Sequence, residues 1–233
     1  MNQIFYLLTL LLSLTSCAQQ YNIAGNSSVN SFDGRMLYLQ VASGFQTNRI
    51  DSCEVVHGRF SFMGPVDSVV MAELFMDNEY LMPLVIEDCN LDVRMDYMGQ
   101  RVSGGPLNDR LYRFLQEKER LDNEYMELSY QEMRMMMEGI APAKIREELQ
   151  PKAKKLSARI ERLETKFIMD NYDNVLGPGV FMLLCNQYHY PILTDQIRAI
   201  MKKAPEKFRN HPYVKQYIST AEENMVRLQH ITP

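Results

Sequence analysis

The sequence predicts an α+β protein in which an antiparallel, sandwich-like β module is followed by a helical module. Short apolar runs that alternate with polar residues fill roughly residues 21–102, a pattern typical of strands. At Ser103-Gly104-Gly105-Pro106 the apolar repeat changes from two residues to about 3.5, which is typical of helices. Beyond the N-terminal segment there is no second long apolar run, so no further segment is expected to span a membrane.

Residues 1–16 are predicted to be a lipoprotein signal peptide. As a helix, the apolar run Ile4 to Leu14 would be about 16 Å long, which is too short for a bilayer core of about 30 Å but typical of a secretory signal. The first three residues carry no Lys or Arg, which departs from the usual signal pattern. The run Leu14-Thr15-Ser16-Cys17 resembles the bacterial lipobox, whose cysteine is acylated and becomes the new N-terminus.

The lipobox resemblance implies that Cys17 carries palmitate and that residues 17–24 form the lipidated N-terminus and a short tether. Each buried methylene adds about 0.8 kcal/mol to membrane binding, so two or three chains would make a lasting anchor. Ala18 follows Cys17 where an Asp would favour inner-membrane retention. We therefore expect a bacterial envelope protein held in the outer membrane and facing the periplasm. The alternative is an ordinary signal peptide with a chance cysteine.

Composition and motifs argue against several functional classes. The chain has a formal net charge of −4, which gives no electrostatic reason to expect a nucleic-acid partner. It contains no C-x-x-C, H-E-x-x-H, G-x-S-x-G or phosphate-binding glycine loop, all of which would mark a common catalytic site. We therefore expect no enzymatic activity, no cofactor and no metal site.

The β module is expected over residues 25–103, with about seven short strands. The His57-Gly58 pair lies between two short apolar runs, which predicts a hairpin turn. Asp77-Asn78 and Asp88-Cys89-Asn90 are further turn candidates. Pro83 lies within a strand-like run and therefore predicts an edge strand or a bulge.

The helical module is expected over residues 104–233, beginning with a long antiparallel helical hairpin. Two apolar stripes on either side of the Gly139 to Pro142 break predict its two helices. Lys118 interrupts the first stripe, and Pro151 is expected to bend or restart the second helix. Residues 177–188 are apolar nearly all round, which predicts a buried helix. Thr194 and Pro212 are expected at the starts of two later helices.

Several of these runs together resemble a known family of bacterial lipoproteins, the domain-of-unknown-function 4369 family. The runs are RIDSCEVVHGRFSFMGPVD, PLVIEDCNLDV and VSGGPLNDRLYRF. In many family members this module precedes a thioredoxin-like domain with a C-x-x-C, and those proteins are called thiol:disulfide interchange proteins. The resemblance implies that this chain is the accessory portion without the redox domain.

Three groups of residues are candidate sites. Cys53 and Cys89 could form a disulfide, and the alternative is that both are small buried residues. Met133, Met135, Met136 and Met137 cover most of a helical turn, so some must leave the packed stripe. They form either a partner surface or loose packing against the β module. Tyr188, His189 and Tyr190 either line a small pocket or pack at a helix end.

Three functions remain open from the sequence. The first is a non-enzymatic, lipid-anchored envelope protein that acts as a scaffold or interaction module. The second is an accessory to a separate thioredoxin-like oxidoreductase, which would act through Cys53 or Cys89. The third is a small-ligand-binding lipoprotein with its pocket between the sheet and the helices.

Overall fold

The computed structural model describes residues 20–43 and 46–231 and confirms the α+β class. In this range the strands are β1 (Gln20–Ser27), β2 (Met36–Ser43), β3 (Gln46–Glu54), β4 (Arg59–Pro65), β5 (Val70–Met76), β6 (Glu79–Ile86), β7 (Asn90–Asp96) and β8 (Gly99–Ser103). The helices are α1 (Pro106–Met137), α2 (Pro142–Asp170), α3 (Leu176–Cys185), α4 (Asp195–Lys203), α5 (Glu206–Arg209) and α6 (Pro212–Ile231). The predicted signal peptide and Cys17 lie outside the described residues.

The strands form two four-stranded sheets, with orders β4-β1-β7-β8 and β3-β2-β5-β6. All pairings are antiparallel except one, because β1 runs parallel to β7. The expectation of a purely antiparallel module is therefore wrong at this pair. A parallel pair needs a long crossover, and here the chain builds the entire second sheet between β1 and β7.

Alternation along the strands places one face of each sheet in a shared core. In β7, Leu91, Val93 and Met95 are buried while the intervening residues are more exposed. Two of the predicted turns have positive φ angles, at His57-Gly58 (51° and 71°) and at Asp77 (52°). Both positions suit the tight turns that join twisted antiparallel strands, so these two turn predictions are confirmed.

The first two turns of α1 cover the outer edge of β6. The Asn108 side chain accepts a hydrogen bond from the Val85 backbone N–H at 2.8 Å and donates one to the Val85 carbonyl at 2.7 Å. The Tyr112 hydroxyl donates to the Pro83 carbonyl at 2.8 Å. Pro83 thus lies in an edge strand, as predicted. The backbone groups of this edge, which would otherwise be buried without partners, are satisfied by α1.

A buried carboxylate holds the start of α1 in place. Glu87 accepts hydrogen bonds from the backbone N–H and the side-chain amide of Asn108, at 3.2 and 3.0 Å. The N–H groups of a first helical turn lack partners within the helix, and a negative charge is favourable there. Gly105 permits the approach, because a Cβ at this position would lie 2.1 Å from a Glu87 carboxylate oxygen.

Helices α1 and α2 form the predicted antiparallel hairpin. Its turn contains Gly139, with φ of 75°, and Pro142 at the start of α2. Phe114 of α1 stacks on Phe167 of α2, with ring centroids 4.2 Å apart. Helix α2 continues through Pro151, so the expectation that this proline restarts the helix is wrong. Pro151 is exposed, so its side chain lies outside the buried stripe of α2.

The C-terminal helices cover the outer face of the second sheet. Gly179 of α3 lies so close to Met71 of β5 that an added Cβ would be 2.0 Å from the Met71 sulfur. The Tyr213 hydroxyl of α6 donates to the Ala42 carbonyl of β2 at 2.5 Å. Buried residues of both modules belong to one continuous apolar core. Among the described helices, none has the length and hydropathy needed to cross a membrane.

Candidate functional site

A cavity of about 310 Å³ lies between the outer face of the second sheet and the C-terminal helices. Its walls include Glu73 of β5, the loop residues Tyr188, His189 and Tyr190, and Tyr213 and Tyr217 of α6. The structure therefore brings the three predicted pocket residues together around one space. Whether that space binds a ligand stays a prediction.

Glu73 is the charged side chain that sequence reasoning missed. In β5 the residues Ala72, Leu74 and Met76 are buried in the sandwich core, so Glu73 faces the opposite side, toward the helices. Within the part of the chain that the structure describes, its carboxylate has no hydrogen bond and no ion pair. Burial raises the pKa of Glu73 above its usual value. The available signal was a lone acidic residue in the apolar run SVVMAELFM.

Two tyrosines of α6 are fixed at the cavity wall by their hydroxyl groups. Tyr213 donates to the Ala42 carbonyl, and Tyr217 lies within hydrogen-bonding distance of both backbone polar groups of Ile192, at 3.1 and 3.2 Å. Cys185 of α3 lines the same cavity as Tyr217. These hydrogen bonds connect the sheet and α6 around the cavity, so this wall is preorganised.

A larger cleft of about 680 Å³ lies between β6, the β7–β8 turn and α1. Side chains of both charge signs line it, namely Arg94, Asp96, Arg101 and Glu119. Tyr97 and Met98 at the β7–β8 turn are strongly exposed beside it. This mixture gives no net preference for an anion or a cation, and no single ligand class follows from it.

The four predicted methionines of the partner surface do not lie on one face. Met135 is buried, with 8% of its surface exposed, and packs against Ile145 and Leu149 at the tip of the hairpin. Met133, Met136 and Met137 are exposed. The inclusion of Met135 in the surface is therefore wrong. Because successive helix positions are 100° apart, Met135 lies roughly opposite Met133. It packs against α2 instead of facing outward.

An exposed apolar stripe nonetheless follows the distal half of α1. Its members are spaced four, three and four residues apart, which places them within about 60° of one another on the helix. Their exposed fractions are 50% for Met126, 51% for Tyr130, 59% for Met133 and 83% for Met137. We call these four residues the α1 stripe. The buried residues Leu121 and Met135 lie on a different face of α1, and Met126 also lines a groove with Ser157 and Ile160 of α2.

The three described cysteines are all free thiols. Cys53 lies in β3 and Cys89 follows β6, and these strands are the opposite edges of the second sheet. Three strand spacings of about 4.8 Å separate those edges, whereas a disulfide needs Cα atoms within about 7 Å. The predicted Cys53–Cys89 disulfide is thus absent from the structure. Cys185 is buried in α3, as predicted.

The local environment makes these thiols weakly reactive. Burial raises the pKa of Cys53 to about 11, and that of Cys185 to about 12. Burial also raises the pKa of Cys89 to about 11, with smaller contributions from the negative charges of Glu87, Asp88 and Asp109. Because the thiolate is the nucleophile, these raised pKa values lower the fraction of each thiol that is ready to react near neutral pH. Among residues 20–43 and 46–231 there is also no cluster of three potential metal ligands.

Residues 21–111 match the model of a protein family described as a domain of unknown function, DUF4369. The matched segment, residues 21–111, is called the DUF4369 domain below. The resemblance carried by the sequence runs is thereby confirmed for this segment. A comparison with curated proteins gave no match.

The DUF4369 domain contains both sheets and ends within the first two turns of α1. Its boundary therefore includes Glu87 and Asn108, the buried pair that joins the sheet edge to the helix. Glu73 belongs to the DUF4369 domain, whereas Tyr188, Tyr213 and the α1 stripe lie beyond it. The cavity thus combines residues of the DUF4369 domain with residues of the C-terminal helices.

Proposed function

We propose that this chain is a non-enzymatic envelope lipoprotein, anchored through Cys17, that acts as an interaction module for a protein partner. The observation that carries the proposal is the α1 stripe. Four large apolar side chains are exposed in a line about 16 Å long on a helix whose opposite face is already packed. Flexible thioethers adapt to partner surfaces, and a line of this spacing suits an amphipathic helix of the partner.

The electrostatic surroundings support a protein partner over a lipid surface. Beside the stripe, Arg134 pairs with Glu127 at 2.9 Å, and the flanking residues Glu132 and Glu138 are acidic. Helices that lie on anionic membranes carry Lys and Arg on their polar face. The α1 stripe lacks this basic border, so its expected partner is a protein.

Site-specific photo-crosslinking in intact envelopes tests the partner surface. A crosslinking amino acid at Met133 or Met137 is expected to give the same adduct from both positions. The matched control is Lys155, which is exposed on α2. The adduct should disappear when Met126 and Tyr130 are both replaced by Ser. An adduct of two copies of this chain, or equal yield from Lys155, would contradict the proposal.

The anchor is tested separately from the partner surface. Replacement of Cys17 by Ala is expected to release the chain from membranes and to abolish incorporation of labelled palmitate. Retention of the variant in the membrane fraction would remove the lipid anchor from the proposal. The α1 stripe does not depend on this outcome.

The thioredoxin-linked alternative has a direct chemical test. Because burial raises the pKa of Cys53 and Cys89 to about 11, their thiolate fraction near neutral pH is about a hundredfold below that of an ordinary cysteine. We expect Cys53, Cys89 and Cys185 to resist alkylation by iodoacetamide until the chain is unfolded, as measured by mass spectrometry. Rapid native alkylation of either residue would instead favour the redox role.

A further inference from the structure

We propose that the cavity beside Glu73 binds a small organic cation, a protonated amine or a quaternary ammonium group. This inference does not rest on the proposed partner surface, because the cavity and the α1 stripe share no residues. It deepens the small-ligand alternative by assigning the chemical class of the ligand.

The charge of the cavity is the first argument. Glu73 supplies a half-buried carboxylate, and the lining residues that the structure describes include no Lys or Arg; His189 is the basic side chain among them. A carboxylate removed from water is destabilised unless a counter-charge or hydrogen bonds compensate for it. No such group meets Glu73 in the described residues, so a ligand with a positive charge would supply the missing partner.

The aromatic lining is the second argument. Four tyrosines contribute to the wall: Tyr188, Tyr190, Tyr213 and Tyr217. Aromatic rings attract cations through their quadrupole, and cages of such rings are a common way to hold ammonium groups. The hydroxyls of Tyr213 and Tyr217 are already committed to backbone groups. Their rings, rather than their hydroxyls, therefore remain available to a ligand.

The end of α3 is the third argument. Cys185, the last residue of this ten-residue helix, and its C-cap Asn186 both line the cavity. The C-terminal end of a helix carries a partial negative charge that favours cations. The Cys185 thiol adds no charge, since burial raises its pKa to about 12. The carboxylate and the helix end thus favour the same sign of ligand charge.

The volume limits the size of the ligand. About 310 Å³ lies at the lower end of the range of small-molecule sites. A compact amine of a few carbons fits this space better than a drug-sized molecule. Choline is a suitable probe because its neutral isostere, 3,3-dimethylbutan-1-ol, has the same shape without the charge.

The test is a titration of the full chain with choline and with the neutral isostere. Met182 lines the cavity, so its 13C-methyl resonance, assigned with a Met182→Leu variant, reports binding there. We expect choline to shift this resonance and the isostere to bind at least about tenfold more weakly, the ratio that a charged interaction contributes. Equal binding of the two probes, or no shift with choline, would overturn the proposal.

Variants separate a true site from a surface effect. Glu73→Gln is expected to weaken choline binding about tenfold or more, and Tyr190→Ala, at an exposed ring, severalfold. Glu79→Gln removes the same charge from an exposed position of β6 and should leave binding unchanged. Thermal denaturation establishes that each variant is folded. Wild-type affinity in both Glu73→Gln and Tyr190→Ala would contradict the assignment.

Discussion

At the scale of single residues, Asn108 takes the place of a neighbouring strand. Its amide hydrogen-bonds both backbone groups of Val85 and also donates to Glu87, and it is fully buried. A backbone edge normally needs another strand to satisfy these groups. The Asn108 amide, together with the Tyr112 hydroxyl, therefore joins the β module to α1.

Replacement of Asn108 by Ala should destabilise the chain by about 3 kcal/mol. The change leaves the backbone N–H and carbonyl of Val85 buried without their side-chain partner, and each such group costs about 1–3 kcal/mol. Glu87 loses the amide donor but keeps the backbone N–H of residue 108. Chemical denaturation monitored by circular dichroism measures the loss. Asn123→Ala, at an exposed site of the same helix, is the control and should remain within about 0.5 kcal/mol of wild type. Equal effects of the two variants would show that the Asn108 contacts contribute nothing specific.

Glu73 predicts a pH dependence of stability with a definite sign. Burial raises its pKa in the folded state, so the folded chain binds a proton before the unfolded chain does as the pH falls. The carboxylate therefore destabilises the fold above its folded pKa, and this penalty is relieved on acidification toward the unfolded value of about 4.3. Glu73→Gln should raise the melting temperature at pH 7, with a smaller difference at lower pH. A constant difference across this range would contradict the shift.

At the scale of elements, a buried charge cluster explains why Lys118 interrupts the seam of the hairpin. Lys118 lies 2.7 Å from Asp122 in its own helix and 3.6 Å from Glu164 of α2. Glu164 is buried and also accepts a hydrogen bond from Gln196 of α4 at 2.8 Å. Burial raises the pKa of Glu164, while Gln196 and Lys118 oppose that shift. The cluster connects three helices at one point of the hairpin.

Lys118→Met should destabilise the chain by on the order of 2 kcal/mol, because it leaves Glu164 buried without its counter-charge. The double variant Lys118→Met/Glu164→Leu should recover most of the loss, since a well-packed apolar pair often replaces a buried ion pair without cost. Thermal and chemical denaturation of the wild type, Lys118→Met, Glu164→Leu and the double variant measure the coupling. A double variant less stable than Lys118→Met would contradict this account.

Elements were more predictable from the sequence than the contacts between them. The period change at Gly104-Gly105-Pro106, the turns at Gly58 and Asp77 and the cap at Thr194 are local signals, and the structure confirms them. The parallel pairing of β1 with β7 has no local signature, because it depends on where the chain returns after the second sheet.

The candidate sites also divide into residues that local sequence identifies and residues that only the tertiary fold brings in. Tyr188 to Tyr190 form a sequence cluster and could be identified from it. Glu73 enters the same cavity from a strand more than a hundred residues away, and only the tertiary fold brings it there. The prediction that Met135 belongs to the partner surface is wrong because a run of methionines does not show which of them packs against α2.

At the scale of the whole molecule, the two modules share one core. Buried side chains from the sheets and from α1, α3 and α6 form a single continuous cluster. We therefore expect unfolding in denaturant to be one cooperative transition, with coincident curves from far-ultraviolet circular dichroism and from tyrosine fluorescence. A helical signal lost before the sheet signal would show two independent domains.

A fragment of residues 20–103 provides a complementary test of this shared core. It lacks Asn108 and the helices that cover Met71 and Ala42, so it should aggregate or remain unfolded. A soluble fragment with native-like chemical-shift dispersion would show that the helices are dispensable for the sheets.

The interior position of β1 has a mechanical consequence for a tethered protein. This strand begins three residues after Cys17 and is hydrogen-bonded to β4 on one side and to β7 on the other. Tension applied at the amino terminus would run along the strand, at right angles to both rows of bonds, and would load them in shear simultaneously rather than peel them apart one by one. If the chain is anchored at Cys17 as proposed, a pull on the anchor would load β1 in shear. Hydrogen-bonded strands resist shear more strongly than peeling.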